Sequence, residues 1–392
     1  MASKVFHVDM RSLGPQQSIE KKLASLFSAS GAADTFSHGD VVAVKTHFGQ
    51  PGNHRLLRPQ HIRAIVEKIL EAGGRPFVTD TTGIGLASSR GTAEKCLKAA
   101  AENGYTRETV GAPLVVADGM KGLSGVRLNV NGLRMKEVEV AQAIAEADAL
   151  FSLAHVKGHP RTGLGGTLKN VGVGCVTKCG RAPLHLARKP RIDAAKCDSC
   201  GKCVSFCPPG AIIVSAQKPV VDEAKCIWGC GCQDVCPQGA ISGWQEMHHE
   251  KNAELCVRVA DATAAVVEHL GKDRVMFFNF GYDITPHCDC AAYGDTPIVP
   301  DIGILASKDP VAVDKASIDM ITASPGMPNS ACSDVGAMQS GVDKLSALID
   351  YAPFKPFRRH GGPDWRSMLD AAVELGLGST DYELIHVQTS QE

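Results

Sequence analysis

Short apolar runs alternate with amphipathic segments along the first half of the chain. The runs are rich in β-branched residues and predict buried strands, whereas the segments between them repeat apolar residues every three to four positions and predict helices. The predicted strands cover residues 40–45, 76–79, 113–118 and 148–154, and the predicted helices cover residues 59–72, 92–102 and 139–146. This order is typical of βαβ units, so we expect a mostly parallel sheet with helices on both faces.

The alternation stops near residue 188 and resumes after residue 246. The residues between are rich in Cys, Pro and Gly, and the later part predicts helices at 252–270, 309–321 and 364–375 and strands at 274–280, 297–305 and 382–387. We therefore expect an α/β core in two parts, residues 1–187 and 247–392. A small α+β insert of residues 188–246 interrupts that core.

A cysteine motif occurs twice in this insert. Its first copy reads C-x2-C-x2-C-x3-C-P and its second reads C-x3-C-x-C-x3-C-P. The cysteines are, in chain order, Cys197, Cys200, Cys203 and Cys207, then Cys226, Cys230, Cys232 and Cys236. The duplication extends into CPPGAI at 207–212 and CPQGAI at 236–241 and is similar to two-cluster bacterial ferredoxins.

The spacing predicts two [4Fe–4S] clusters with crossed ligands. In such ferredoxins the fourth cysteine of each copy ligates the other cluster. One cluster is then expected on Cys197, Cys200, Cys203 and Cys236, and the other on Cys226, Cys230, Cys232 and Cys207. The displaced middle cysteine of the second copy departs from the ferredoxin pattern, so the potential of that cluster does not follow from it. Zinc ribbons and disulfides are the alternative interpretations.

Composition narrows the class of protein. The 392 residues carry a formal net charge of −1 and only 5% aromatic residues, which argues against a nucleic-acid partner. No apolar run reaches the ~20 residues of a membrane span, and the first residues show no apolar signal segment, so we expect a cytoplasmic protein without a membrane partner. In a reducing compartment, 15 cysteines favour metal binding over disulfides.

Polar side chains follow the predicted strands. His47 follows the first strand, and His155, Lys157 and His159 follow the fourth. Ligands of open α/β sheets bind beyond the carboxyl ends of the strands. We therefore expect a site at which Lys157 and Lys169 contact a small anionic substrate and His47, His155 or His159 transfers a proton. The alternative is that these loops are polar because they face water.

Residues 158–179 contain six glycines. Exposed amides after Gly163, Gly165 and Gly166, together with Lys169, could hold a phosphate or carboxylate. The segment matches neither the P-loop nor the dinucleotide-binding pattern. A glycine loop that packs closely against the sheet is the alternative.

Four further cysteines form two close pairs along the chain, Cys175 with Cys179 and Cys288 with Cys290. The two pairs together could ligate a third metal or cluster. They could instead form a redox pair or bind a substrate, or the pairs could lie far apart in the fold.

Three long segments resemble the family called "domain of unknown function 362", a group of uncharacterised Fe–S centre proteins. They are VAVKTHFGQPGNHRLLRPQHIRAIVEKILEAGGRPFVTDTTG at 42–83, KGHPRTGLGGTLKNVGVGC at 157–175 and ITPHCDCAAYGDTPIVPDIGILASKDPVAVDKASID at 284–319. The resemblance implies an α/β core with iron–sulfur clusters and no settled reaction. The motifs that it matches include Cys175 and Cys288–Cys290, but the family pattern does not demand Cys179.

Three functions fit these features. The first is an oxidoreductase whose clusters receive electrons from a redox partner protein and relay them to the strand-end site. The second is a non-enzymatic electron-transfer partner or reductive activator of another metalloenzyme. The third is a maturation factor that hands a metal or cluster to a client. The chain is expected to be a monomer or a homodimer.

Overall fold

The computed structural model describes residues 2–185, 189–215, 218–227, 230–242 and 251–389. The strands are β1 Ser3–Val8, β2 Val41–Lys45, β3 Arg75–Asp80, β4 Leu114–Val116, β5 Gly125–Asn129, β6 Glu137–Ala141, β7 Ala149–His155, β8 Lys157–His159, β9 Gly163–Gly165, β10 Arg191–Ile192, β11 Ile212–Ser215, β12 Lys218–Val221, β13 Ile241–Ser242, β14 Val275–Gly281, β15 Gly303–Ser307 and β16 Tyr382–His386. The α-helices are α1 Ile19–Ala29, α2 Pro59–Glu71, α3 Ala93–Glu102, α4 Arg107–Val110, α5 Gln142–Ala145, α6 Thr167–Gly172, α7 Lys178–Leu184, α8 Lys202–Phe206, α9 Asn252–Leu270, α10 Pro310–Ala323, α11 Ala331–Asp334, α12 Lys344–Ala347 and α13 Arg366–Glu374.

Eight strands form the central sheet, in the order β16-β1-β15-β14-β7-β2-β3-β4. The strands pair in parallel except at β15, which is antiparallel to both β1 and β14. The expected mostly parallel sheet is therefore confirmed. The sequence pattern did not predict β1, and the strand predicted at 297–305 begins only at Gly303.

Apolar side chains cover both faces of this sheet. Along β14, Met276 and Phe278 pack with the buried residues of α1 and α2, whereas Phe277 packs with those of α6, α9 and α10. Successive side chains of a strand point to opposite faces, so a strand that is apolar throughout must be covered twice. The expected helices on both faces are confirmed.

One predicted helix is wrong in its first half. Residues 137–141 form β6, which pairs antiparallel with β5, and only Gln142–Ala145 is helical. The reason lies in the alternation of EVEVA, which places Val138 and Val140 on one buried face of a hairpin. The two-residue alternation of these side chains thus determines a strand there, rather than the predicted helix.

The insert contains two small antiparallel ladders. Strand β10 pairs with β13, and β11 pairs with β12. The first ladder brings the two ends of the insert together, so the core chain can leave and re-enter its own fold at nearly one place. The predicted boundaries at 187/188 and 246/247 lie outside the described residues, and the division into domains stays a prediction. Among the described residues, no helix is long and apolar enough to cross a membrane.

Candidate functional site

A cavity of about 260 Å³ lies at the carboxyl ends of the neighbouring strands β14, β7, β2 and β3. Parallel strands end at the same edge of a sheet, so residues that are far apart in the chain meet there. The cavity brings together most of the strand-end residues that the sequence singled out. Its lining includes His47, Lys157, His159, Lys169, Cys288 and Cys290.

Positive charge dominates this lining. Besides Lys157 and Lys169, the side chains of Lys45, Arg90 and Arg181 contribute cations, whereas Asp80 is the carboxylate among the described lining residues. Sequence reasoning missed all three of these cations. Lys45 was assigned to a buried strand, and Arg90 and Arg181 lie in segments that carry no motif.

Asp80 holds one side of the cavity in place. Its carboxylate lies 3.0 Å from Lys45 Nζ and accepts hydrogen bonds from the backbone amides of Phe48 and Thr81. Burial opposes ionisation, but the charges of Lys45 and Arg90 outweigh it and hold the pKa of Asp80 well below its usual range. Asp80 is therefore a structural anion that pairs with Lys45 inside the fold.

Asp289 anchors the side chains on the opposite side of the cavity. Its two carboxylate oxygens lie 2.9 Å from His155 Nδ1 and 2.9 Å from Lys157 Nζ, and all three side chains are buried. Burial opposes ionisation here too, yet Lys157 and His155 together hold the pKa of Asp289 well below its usual range. The second ring nitrogen of His155 faces the carbonyl oxygen of Tyr282 at 2.9 Å.

This geometry assigns His155 a different role from the predicted one. Both of its ring nitrogens face oxygen acceptors, the carboxylate of Asp289 and the carbonyl of Tyr282. It is also not among the residues that line the cavity. His155 therefore positions Asp289 rather than facing the cavity as a proton-transfer group.

His47 and His159 do face the cavity, and both are neutral. Burial lowers the pKa of His47 to about 4, and burial together with Lys169 lowers that of His159 well below its usual value. His159 Nδ1 accepts hydrogen bonds from the backbone amides of Arg161 and Thr162, at 3.2 and 3.1 Å. His47 Nδ1 accepts from the amide of Gly49 at 2.8 Å. The proton of each ring is consequently on Nε2, which makes both side chains hydrogen-bond donors.

Cys288 and Cys290 lie at the first and third positions of a turn that the Ala291 amide closes onto the Cys288 carbonyl at 2.9 Å. Asp289 points between them to the opposite side, so both sulfurs face the cavity. Their sulfurs and a ring nitrogen of His159 lie within 4.8 Å of one another. Lys169 Nζ donates to Cys288 Sγ at 3.2 Å.

Cys175 and Cys179 do not complete this group, which corrects the idea of a four-cysteine third site. Cys175 is fully buried, and its carbonyl accepts from Ala141. The next residue, Val176, forms an antiparallel bridge with Val140 of β6. Cys179 then lies in the first turn of α7. Among the described residues, the group that could hold a metal consists of His159, Cys288 and Cys290 and includes neither Cys175 nor Cys179.

In the glycine-rich segment, two amides already have a carboxylate partner. The amides of Thr167 and Leu168, at the start of α6, already donate to the buried carboxylate of Asp314 at 2.7 and 2.9 Å. A Cβ atom at Gly166 would lie 2.3 Å from the same carboxylate. The segment is therefore close-packed around Gly166, and a phosphate or carboxylate site at its other amides stays a prediction.

The titration of Asp314 yields a testable prediction. Burial outweighs its hydrogen bonds from Asn279, Leu168 and Thr167 and raises its pKa to about 6. The unfolded chain loses this proton near pH 4, so stability present below that pH is lost as the pH rises through 6, by about 3 kcal/mol. We expect Asp314→Asn to gain about that much stability relative to wild type between pH 4 and 7.5.

The measurement is denaturant unfolding of both proteins over that pH range. Asp370→Asn, at an exposed position on α13, serves as the control and should track the wild type at every pH. A difference between Asp314→Asn and wild type that stays constant with pH would contradict the raised pKa.

In the insert, the four cysteines that are predicted to ligate the first cluster surround one small cavity. Cys197, Cys200 and Cys203 from the first copy line it together with Cys236 from the second. Burial and the neighbouring thiols Cys197 and Cys236 raise the pKa of Cys203, which agrees with this grouping.

The other four cysteines are likewise neighbours. Burial raises the pKa of Cys230 to about 12, and the thiols of Cys207, Cys179 and Cys226 add to this effect. The pKa of Cys232 is raised to about 12 in the same way, with Cys226 and Cys207 as its nearest thiols. The described residues thus bring Cys207 of the first copy to the three cysteines of the second. They also place Cys179 beside this group.

The insert contacts a loop of the core that also lines the cavity. Residues 83–91 connect β3 to α3, and Gly83, Ile84 and Arg90 contribute to the lining. In the same loop, the Leu86 amide donates to the Cys230 carbonyl at 2.8 Å. Gly231 has a φ of +90°, and a Cβ there would lie 3.2 Å from the Cα of Gly85. The cysteine motif therefore lies directly against the wall of the cavity.

Helix α7 makes a second connection between the two sites. Cys179 at its start is beside Cys230, and Arg181, two residues later, lines the cavity. Arg181 is held by Asp118 at 3.3 Å. The sequence singled out Cys179, but for a different site, because the contact with Cys230 depends on how the insert packs on the core.

Comparisons with known proteins give the family. The model of a domain of unknown function, DUF362, matches residues 42–319. A thylakoid-associated protein of Synechocystis sp. is 25% identical over 173 residues, which are 43% of this chain and 50% of that protein. The chain thus matches about half the length of this curated relative.

Two solved structures are distant neighbours. The lactate racemase apoprotein of Thermoanaerobacterium thermosaccharolyticum is 11% identical, with 100% of this chain and 84% of that one covered and a TM-score of 0.37. A structural-genomics protein of Thermotoga maritima is 17% identical over 41% of this chain and 38% of that one, with a TM-score of 0.29. The family model matches well over half of the residues and contains every core motif described above, so this protein belongs to the DUF362 family.

Proposed function

We propose that this protein is an iron–sulfur oxidoreductase in which two [4Fe–4S] clusters in the insert pass electrons to a small anionic reactant in the strand-end cavity. The observation that carries this proposal is the contact between the Leu86 amide and the Cys230 carbonyl. One hydrogen bond separates the second group of cysteines from the loop that forms the cavity wall. An electron leaving that group therefore needs no second protein to reach the cavity.

The residues of the insert fit iron–sulfur clusters. Two groups of four thiols are the donor set for [4Fe–4S] centres, which cysteine thiolates ligate. The apolar core of the insert is small, with Cys203, Ile212 and Ile241 as its buried members in the described residues. A core of this size cannot hold a domain together unaided, and metal binding then supplies folding free energy.

The two groups are also placed for transfer from one to the other. Cys203 of the first group is close enough to Cys232 of the second to contribute to its raised pKa. The second group is the one that contacts the core. The first cluster would thus receive electrons from a redox partner protein, and the second would deliver them.

The charges of the cavity favour an anionic reactant. Lys45, Arg90, Lys157, Lys169 and Arg181 surround a space lined by one carboxylate of the described residues. Buried cations attract and orient an anion more strongly than surface cations, because the local dielectric is low. His47 and His159 add neutral N–H donors that can hold an oxygen atom of the reactant. A simple electron carrier requires none of these groups.

The proposal is tested by metal and sulfide analysis of anaerobically purified protein, with electron paramagnetic resonance after chemical reduction. We expect about eight iron atoms and about eight sulfides per chain, and signals from two interacting [4Fe–4S] centres. Two zinc ions without iron would contradict the proposal, and so would iron without acid-labile sulfide, since neither can supply the relay.

A further inference from the structure

We propose that Cys288 is the nucleophile of the strand-end cavity, and that its thiolate forms a covalent bond to an electrophilic carbon of a small carboxylate substrate. The inference deepens the proposed function, because it names the reacting group in the same cavity. Its test does not depend on iron, so the two proposals can fail separately.

Three groups converge on the Cys288 sulfur. The Lys169 ammonium donates to it at 3.2 Å, and the ring of His159 and the sulfur of Cys290 lie within 4.8 Å. Hydrogen bonding from Cys290 and the charges of Lys169 and Lys157 outweigh burial and hold the pKa of Cys288 well below that of a free thiol. Cys290 has a raised pKa and remains the protonated partner.

The tautomer of His159 favours a nucleophile over a metal ligand. Histidines that bind metals present a ring lone pair to the ion and donate their other N–H to a neighbour. In His159 the Nδ1 lone pair is already used by the amides of Arg161 and Thr162. The remaining nitrogen carries the proton, so the ring can donate to a thiolate but has no free lone pair for an ion.

The charges around the cavity define the substrate class. Cys288 neutralises Lys169, and Asp289 is shared by Lys157 and His155. Arg90 has the longest ion pair of the cavity, 3.7 Å to Asp80. Cations are thus in excess over carboxylates, and apart from its long ion pair Arg90 donates from Nε to the neutral Gln50 side chain at 3.0 Å. It can bind a carboxylate while the adjacent carbon faces Cys288.

The covalent step is a substitution at the electrophilic carbon. The sulfur lone pair forms the S–C bond, and the bond from carbon to its leaving group breaks, with the electron pair departing on the leaving group. The thiolate charge is consumed, so Lys169 loses its anionic partner and becomes free to hold the departing anion. No oxidant or reductant is needed.

Iodoacetate is the test probe, because it is a small carboxylate with an electrophilic carbon and releases iodide. The anaerobic holoprotein is alkylated with iodoacetate and, in parallel, with neutral iodoacetamide, and the labelled cysteine is found by peptide mass spectrometry. We expect Cys288 to be labelled, whatever the state of the insert cysteines, at a rate that is flat between pH 6 and 8. An ordinary thiol would react about tenfold faster for each pH unit in that range.

Two variants test the charges. Lys169→Met should lower the rate at pH 6 about tenfold and restore the pH dependence, whereas Lys169→Arg should keep the flat profile. Arg90→Gln should lower the rate with iodoacetate at least about threefold and leave the rate with iodoacetamide unchanged. Lys136→Met, whose ammonium bonds to the Gly132 carbonyl far from the cavity, is the matched control and should change neither rate.

Cys288→Ser should abolish the alkylation at this position. If this variant does not fold, the pH dependence of alkylation in the Lys169 variants tests the same thiolate. Labelling at another cysteine with Cys288 unmodified would overturn the proposal. A steep pH profile in wild type would do the same. Labelling that requires prior removal of a metal by a chelator would show that Cys288 is a metal ligand instead.

Discussion

Replacing Asp289 with alanine is expected to lower the free energy of unfolding by about 3–5 kcal/mol, the cost of breaking a buried ion pair from one side. The change leaves the buried side chains of Lys157 and His155 without their shared partner. The loss is measured as the shift of the denaturant midpoint at pH 7. It should shrink as the pH falls below about 4, because the unfolded carboxyl is protonated there and the advantage of the low native pKa disappears.

A double variant separates the cost of the unpaired charge from the cost of the missing Asp289 side chain. Adding Lys157→Met to Asp289→Ala removes one of the stranded cations and should recover at least about 1 kcal/mol. Asp370→Ala, at an exposed position, is the control and should cost less than about 0.5 kcal/mol. A cost below about 1 kcal/mol for Asp289→Ala would contradict the role of this carboxylate as the anchor of the cavity.

The second large effect concerns the crossed ligands of the insert. Cys236→Ser is expected to lower the iron content from about eight to about four atoms per chain, because it removes a ligand of only one cluster. Cys203→Ser should have the same effect on the same cluster, since the two cysteines line one small cavity. Iron, sulfide and the paramagnetic spectrum of the remaining cluster are the measurements.

The double variant decides between crossed and uncrossed ligands. If Cys203 and Cys236 ligate one cluster, replacing both should remove no more iron than replacing either. If each repeat held its own cluster, the double variant would lose both clusters and nearly all iron, which would refute the crossed assignment. Cys332→Ser, at a buried cysteine on α11 of the core, is the control and should retain all of the iron.

The main elements of the core could be predicted from local patterns. Helix α9 begins and ends at the predicted residues, and α10 begins after Asp309, whose side chain accepts from the amides of Val311 and Ala312. Caps and hydrophobic periodicity act over a few neighbouring residues, so the sequence states them directly. The hairpin of β5 and β6 was missed because its pairing joins segments whose alternation is short.

The candidate site was predictable only in part. His47, Lys157, His159 and Cys288 follow strand ends or stand in motifs, and the rule that parallel strands end at one edge brings them together. Arg90 and Arg181 carried no such signal. Their place in the cavity depends on loop 83–91 and on α7, whose positions are set by contacts with the insert and with Asp118.

By itself, the sequence determined the alternation of strands and helices, the duplicated cysteine motif and the set of polar residues at the strand ends. These features are local, because each depends on spacing along a few residues. The tertiary structure alone decided which distant groups are in contact. Asp289 contacts His155 and Lys157, Asp314 contacts the α6 amides, and the backbone of Cys230 contacts the loop that lines the cavity. Such contacts join residues more than a hundred positions apart or on separate modules, and electrostatic partners leave no periodic signal in a chain.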